Sequence, residues 1–432
     1  MNEEFGNKSQ TLSTFVVSIY ALGFSFGPLI AGPLSEIYGR RPVLIVGNII
    51  LTACQLGCAL SPNLGSVITF RFLGGIGGCA SMSLASGVMA DLFAIQQRGF
   101  ANGISMLAQA LGAGFAPVLG GFIAQQLAWR WAYWILLIGC GALTVMHWIL
   151  GEESNAAVLM RRKTAQQRKA IGNMELRSAY DKDIDPALLT TKAVLMTGIA
   201  RPFRIMYSSP VLQLTALHQC IIFGTFFLLV STMADLFMNT YEWDVQTSGL
   251  AYLGIPIGFI IGSLIVVRTS DALVIHLTHR NNGVFEPEFR LPPAIFYGLL
   301  APIGLFWYGW SAEKHKHWIQ PALAIVPFAV GDSGVFNSVQ TYFIDATGQY
   351  AASASATFLA ARCLFAVLLP LAAPTMYARL GLGWGNSILG FISIAMIPIP
   401  FFIYRYGARL RKKFPIRVDG RAPSTNGPRV SV

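Results

Sequence analysis

Charge is scarce in this chain: Asp, Glu, Lys and Arg together make up only 12% of its 432 residues. Soluble domains carry about a quarter of their residues as charges, so an ordinary water-facing surface is excluded. Cysteine is sparse as well. The six (Cys54, Cys58, Cys79, Cys140, Cys220, Cys363) all fall inside apolar stretches, where they read as small hydrophobes and not as a disulfide framework or a metal site. Histidine also numbers six, and the exposed pair His315 and His317 has no third ligand in sequence, which is a weak metal signal. No Walker loop is present, so ATP is not the energy source, and no catalytic pattern survives inspection. Residues 1–10 are polar and the first apolar stretch is too long for a signal core, so no cleavable leader is expected.

What is abundant is long apolar sequence: 54% of residues are hydrophobic and the mean hydropathy is +0.55. A bilayer core takes about 20 apolar residues per helix. Eleven segments meet that length with few charges, at 11–33, 43–61, 67–90, 99–125, 131–150, 210–236, 247–268, 292–310, 318–344, 351–378 and 385–406. The fold class is therefore all-α integral membrane, with five spans in 1–150, a polar linker at 151–209, six spans in 210–406 and a basic tail at 407–432. The net charge of +11 could suggest nucleic acid, but most Lys and Arg fall on one side of the alternating loops, as the positive-inside rule requires. That side is read as cytoplasmic, no nucleic-acid partner is expected, and the linker is read as a cytoplasmic loop between the bundles that can carry a short surface helix on the membrane face. Eleven spans then put the first residues outside the cytoplasm, where Asn7 opens an Asn-Lys-Ser sequon facing the lumen.

The halves are related. A single offset of 253 residues pairs Pro117 with Pro370 and Trp131 with Trp384, which places the fifth segment on the tenth. Duplicated helical bundles with a substrate site between the repeats are the architecture of alternating-access transporters. Equal halves would be expected, so one helix is read as absent from the first.

Three stretches concentrate what polar and glycine chemistry there is: "GPLSEIYGRRPVL" (Gly32 to Leu44), "RFLGGIGGCA" (Arg71 to Ala80) and "LGAGFAPVLGG" (Leu111 to Gly121). The first resembles the signature loop of the major facilitator superfamily, with Glu36 where Asp is usual and Ile37 where the first basic residue is usual. The second resembles that family's fourth-helix motif, and the third its fifth-helix antiporter motif, with Ala116 in place of a glycine. "WRWAYW", "YFIDATGQYAASASA" and "IPIPFFIYRYG" extend the likeness to the fungal drug:proton antiporter branch, which includes polyamine and multidrug exporters. The resemblance implies a major facilitator fold of two bundles with about 11 transmembrane helices of the usual 12, the first being the one missing.

It also implies roles. Gly32, Glu36, Gly39, Arg40, Arg41 and Asp91 form a conformational latch at a tight cytoplasmic turn, with Arg40 paired to Asp91 and Glu36 facing the helix start near Gln349 to Ala352. A loop that does no more than fix topology is the alternative. Arg71, costly inside an apolar helix, joins the proton-coupling machinery or snorkels to the surface. Pro117 with Gly112, Gly114, Gly120 and Gly121 makes a kinked, smooth helix face. Asp332 sits mid-helix near Ser333, Asn337 and Ser338; burial in hydrocarbon favours the protonated form of a carboxyl, as a site that alternately binds a proton and an organic cation requires. A structural carboxylate is the other reading. Asp345 and Arg362 are read as structural charges.

The function expected is proton-coupled export of small amphipathic or cationic organic compounds such as drugs, toxins, secondary metabolites or polyamines. No cofactor is expected; the partners are the substrate, protons and the lipid bilayer, and a monomer is expected. Family habit implies the plasma membrane, with the vacuolar membrane as the alternative. A specific solute transporter of unknown direction, or a truncated remnant with a binding or regulatory role, remains open.

Overall fold

A computed structural model describes residues 4–6, 9–92, 98–172, 203–347 and 351–414. The described residues are helical almost throughout. The first bundle contains α1 (Gln10–Tyr38), α2 (Arg40–Ala59), α3 (Leu64–Leu92), α4 (Arg98–Gln126) and α5 (Trp129–Leu150), followed by the short basic helix α6 (Ala156–Ile171). The second contains α7 (Pro210–Tyr241), α8 (Gly254–Arg280), α9 (Pro292–Gly298), α10 (Leu300–Glu313), α11 (Ile319–Thr347), α12 (Ala351–Met396) and α13 (Pro398–Lys413). Among the described residues, nine helical stretches are long and apolar enough to cross a membrane, and the last of them runs from Ala354 to Lys413.

A straight helix of that length would be about 90 Å long, three bilayer cores, so it has to turn back. The reversal is at Gly381, whose φ of 72° and ψ of 177° break the helix inside α12. Beyond it the chain returns along itself: the Tyr377 hydroxyl donates to the Asn386 side-chain oxygen at 3.2 Å, although nine helical residues would separate them by about 13 Å. The reversal is pinned by Glu313, whose carboxylate accepts from the Leu382 nitrogen at 2.7 Å and the Gly383 nitrogen at 3.2 Å.

Small residues set the packing. α1 crosses α3 at Gly23 and Gly75, and α2 crosses the same helix at Gly47 and Gly77. The run "LGGIGG" thus seats two helices, one on each alternate glycine, in the manner of close crossings in lipid. The core of the second bundle is built around α7, with Leu212, Ile222, Leu228, Met233 and Phe237 all buried. α5 by contrast has no buried residue and turns Trp131, Ile135, Ile138 and Trp148 outward, as a helix bathed in lipid does.

One expectation is corrected. Gly32 to Ile37 belongs to helix α1 and not to a loop. A Cβ added at Gly32 would meet nothing within 4 Å, so this glycine is not there for close backbone approach. The turn needs one residue only, Gly39, at φ 105°, a conformation that L side chains avoid.

Candidate functional site

Three polar constellations interrupt the apolar bundles, and two of them lie at the end of the molecule that carries most of the basic residues. There the Arg40 guanidinium donates from Nε to Asp91 at 3.4 Å and from Nη1 to the Ser35 hydroxyl at 2.7 Å. The structure therefore brings Arg40 and Asp91 together. Arg41 turns the other way and donates to the Trp148 carbonyl at 2.7 Å.

Sequence reasoning missed the residue that organises this corner. Glu153, just past α5, accepts from the Arg40 nitrogen at 2.7 Å and the Arg41 nitrogen at 3.3 Å. It closes the free N-terminus of α2, which has neither a side-chain cap nor an acidic residue in its first turn; a carboxylate there satisfies orphan N–H groups and the helix dipole together. The available signal was an acidic pair, Glu152 and Glu153, on the side where loops are otherwise basic. Removing a helix cap costs roughly 1–2 kcal/mol. Glu153→Ala is expected to lower the melting temperature of the detergent-purified protein by a few degrees, and Glu152→Ala, at an exposed position, to leave it unchanged.

The second bundle repeats the arrangement. Arg290, two residues before the start of α9, donates to Asp345 at 3.0 Å and Asp271 at 2.7 Å, while Arg411 near the end of α13 donates to the buried Glu288 at 3.0 Å. Asp345 near the end of α11 thus holds the place that Asp91 holds near the end of α3. The side chain of Glu36, Gln349 and Tyr350 of the stretch Gln349 to Ala352 that it was expected to face, and Asn7 lie outside the described residues.

The third constellation is at the centre. Asp332 on α11 is buried and accepts from Gln219 of α7 at 3.3 Å. Arg362 on α12 is 4% exposed, its guanidinium held between the rings of Phe223 and Phe336, each 4.4 Å away. Asp332 and Arg362 lie within electrostatic reach of one another but form no ion pair within 4 Å. His218 is also fully buried, and neither of its ring nitrogens has a partner. Arg71 stands apart from this group, donating to the Tyr133 hydroxyl at 2.8 Å and the Val17 carbonyl at 3.4 Å towards the other end of the molecule.

The bundles meet along α1 and α12, where the Ser25 hydroxyl donates to the Ala360 carbonyl at 2.8 Å, and along α4 and the start of α8. α4 runs helical through Pro117. Gly114 packs on Pro256, and Gly121 on the Val245 carbonyl, so these two glycines of the motif serve close approach between bundles. Gly112 and Gly120 face open space and serve none. The α4 contacts lie towards the end of the molecule away from the basic one, and the Ser25–Ala360 contact near its middle. In the basic half the bundles border a small cleft between α3, α4, α11 and α12, lined by Ser105, Gln109, Phe336, Gln340, Ser355 and Arg362 among others.

A chain of this architecture has many relatives. Residues 1–370 match the model of the Major Facilitator Superfamily. The chain is 39% identical over 409 residues to the MFS transporter cpaT of Aspergillus oryzae, covering 95% of this chain and 82% of that one. It is 40% identical over 409 residues to the MFS-type transporter penM of Penicillium rubens, covering 95% and 79%, and 36% identical over 409 residues to the efflux pump radE of Floropilus chiversii, covering 94% and 75%. Among solved structures, the xylose transporter XylE from E. coli in a partially occluded inward-open conformation superposes with a TM-score of 0.65 at 17% identity, over 92% of this chain and 87% of that one. Two bundles of apolar helices, a cleft between them and this extent of similarity lead to one conclusion: the chain belongs to the Major Facilitator Superfamily, as a multi-pass membrane transporter.

Proposed function

We propose that the protein is a proton-coupled exporter of small amphipathic organic compounds working by alternating access. The observation that carries this reading is the cleft between the bundles in the basic half, with the bundles in contact through α4 towards the other end and the buried carboxylate Asp332 in the helix beside it. If the basic end is cytoplasmic, this is the conformation that accepts cargo from inside the cell, and the similarity to a named efflux pump supports the outward direction. The Arg40–Asp91 and Arg290–Asp345 pairs then stiffen the cytoplasmic rim of each bundle, so that the bundles rock as units. Glu36 is the group proposed to bridge them when that rim closes. A contact made in one state only biases the two populations by its own free energy, which is what a latch does.

The plasma membrane is the proposed location and the monomer the proposed unit. The experiment is proton flux in vesicles reconstituted with the purified protein under an imposed pH gradient. Addition of a transported compound is expected to dissipate the gradient faster than in empty vesicles. No compound-dependent flux from any of a chemically diverse set would overturn transport and leave a binding or regulatory remnant.

A further inference from the structure

Resting on the reading of the cleft as the cargo site, we infer that it takes small organic acids, with a carboxylate or acidic enol set against the edge of the Arg362 guanidinium. An organic cation was the expectation as long as Asp332 was considered alone. The structure reverses the balance, because Asp332 is turned into its bundle towards Gln219, whereas Arg362 lines the cleft.

Three observations carry the inference. First, Arg362 is the single charged group among the described lining residues; the rest are Ser, Gln, aromatic and aliphatic side chains. Second, its guanidinium carbon lies 4.4 Å from the ring centroids of both Phe223 and Phe336, contacts that leave its N–H groups free for the edge-on grip by which arginine holds a planar carboxylate with two parallel hydrogen bonds. Third, that edge is unused. Arg362 makes no hydrogen bond among the described residues and its Nε is buried without a partner. A desolvated cation with no hydrogen-bonded partner is costly, and one that faces a cleft is explained by a ligand that completes it. Phe336 and Phe358, which also line the cleft, offer the body of such an acid an aromatic wall, and the glutamines and serines offer neutral hydrogen bonds for its other oxygens.

The test compares three probes of one shape, 2-naphthoate, 2-naphthamide and 2-naphthylmethylamine, titrated by calorimetry into the full-length protein in lipid nanodiscs. The acid is expected to bind about tenfold or more tightly than the amine, as a charge-assisted pair formed out of water implies, with the amide between. Arg362→Gln is expected to remove the preference and Arg362→Lys to keep part of it. An amine that binds as tightly as the acid, a ranking unchanged in a folded Arg362→Gln, or no binding of the acid overturns the inference. Should Arg362→Gln not fold, the ranking on the unaltered protein decides. Binding of the acid without transport in vesicles would instead overturn the export reading and leave the acid site standing, while transport with no preference for acids would do the reverse.

Discussion

Gly75→Val is expected to leave little or no monodisperse protein after detergent extraction, the largest effect of any single substitution considered. At this crossing the backbones of α1 and α3 touch. A Cβ on Gly75 would strike the Tyr20 carbonyl oxygen and would sit 3.0 Å from the Gly23 Cα and 3.1 Å from the Phe24 nitrogen. A Cβ on Gly23 would in turn collide with the Phe72 carbonyl oxygen and lie 3.0 Å from the Gly75 Cα. Every obstacle is backbone, so no rotamer change relieves it. Overpacking a core costs roughly 1–3 kcal/mol where side chains can shift; here the helices themselves must separate, which raises the cost above that range and strips contacts from both. Because α3 also seats α2 at Gly77, the displacement reaches the third helix. The measurement is the size-exclusion profile and melting temperature of the extracted protein. Gly32→Ala is the control: in open space inside a helix it is expected to be neutral or to stabilise by about 0.5–1 kcal/mol. A Gly75→Val protein that elutes and melts like the parent would show that the crossing is looser than drawn.

The same crossing illustrates what was legible in the sequence. Hydropathy located the helices because hydrocarbon imposes length and composition on each. It started them three residues late, at 43 against Arg40 and at 67 against Leu64, because the helical hydrogen bonding continues into the headgroup layer where the apolar signal stops. Glycines and charges in "GPLSEIYGRR" suggested a loop, yet helix α1 continues to Tyr38, since nothing between Gly32 and Tyr38 requires a positive φ until Gly39. The Arg40–Asp91 pairing could be read because both residues had to lie at the same membrane face. Glu153 could not, because its partners are backbone N–H groups, which leave no mark in the sequence, more than a hundred residues away. Nor could the surroundings of Arg362: Phe223 lies on a helix far upstream, and only the folded bundle brings its ring and that of Phe336 to the guanidinium.

For Asp332→Asn the expected result is loss of proton-driven transport by at least about tenfold, with exchange of substrate between the two sides of the membrane largely retained. Asparagine keeps the size of the side chain and an oxygen that can accept from Gln219, the one hydrogen bond Asp332 receives, so the packing of α7 against α11 should survive. What it cannot do is take up and release a proton. It also removes the negative charge that Arg362 feels from α11, so acid binding in the cleft is expected to hold or strengthen while coupling fails. A structural carboxylate predicts another pattern: exchange, coupling and melting temperature would all fall together, since the loss would lie in the bundle and not in the proton step. Counterflow of labelled substrate at equal pH, set beside uptake into vesicles under a pH gradient, separates the two patterns in one preparation. Unchanged, pH-driven transport in the variant would remove Asp332 from coupling. The search would then move to His218, a fully buried side chain of α7 whose ring nitrogens have no partner.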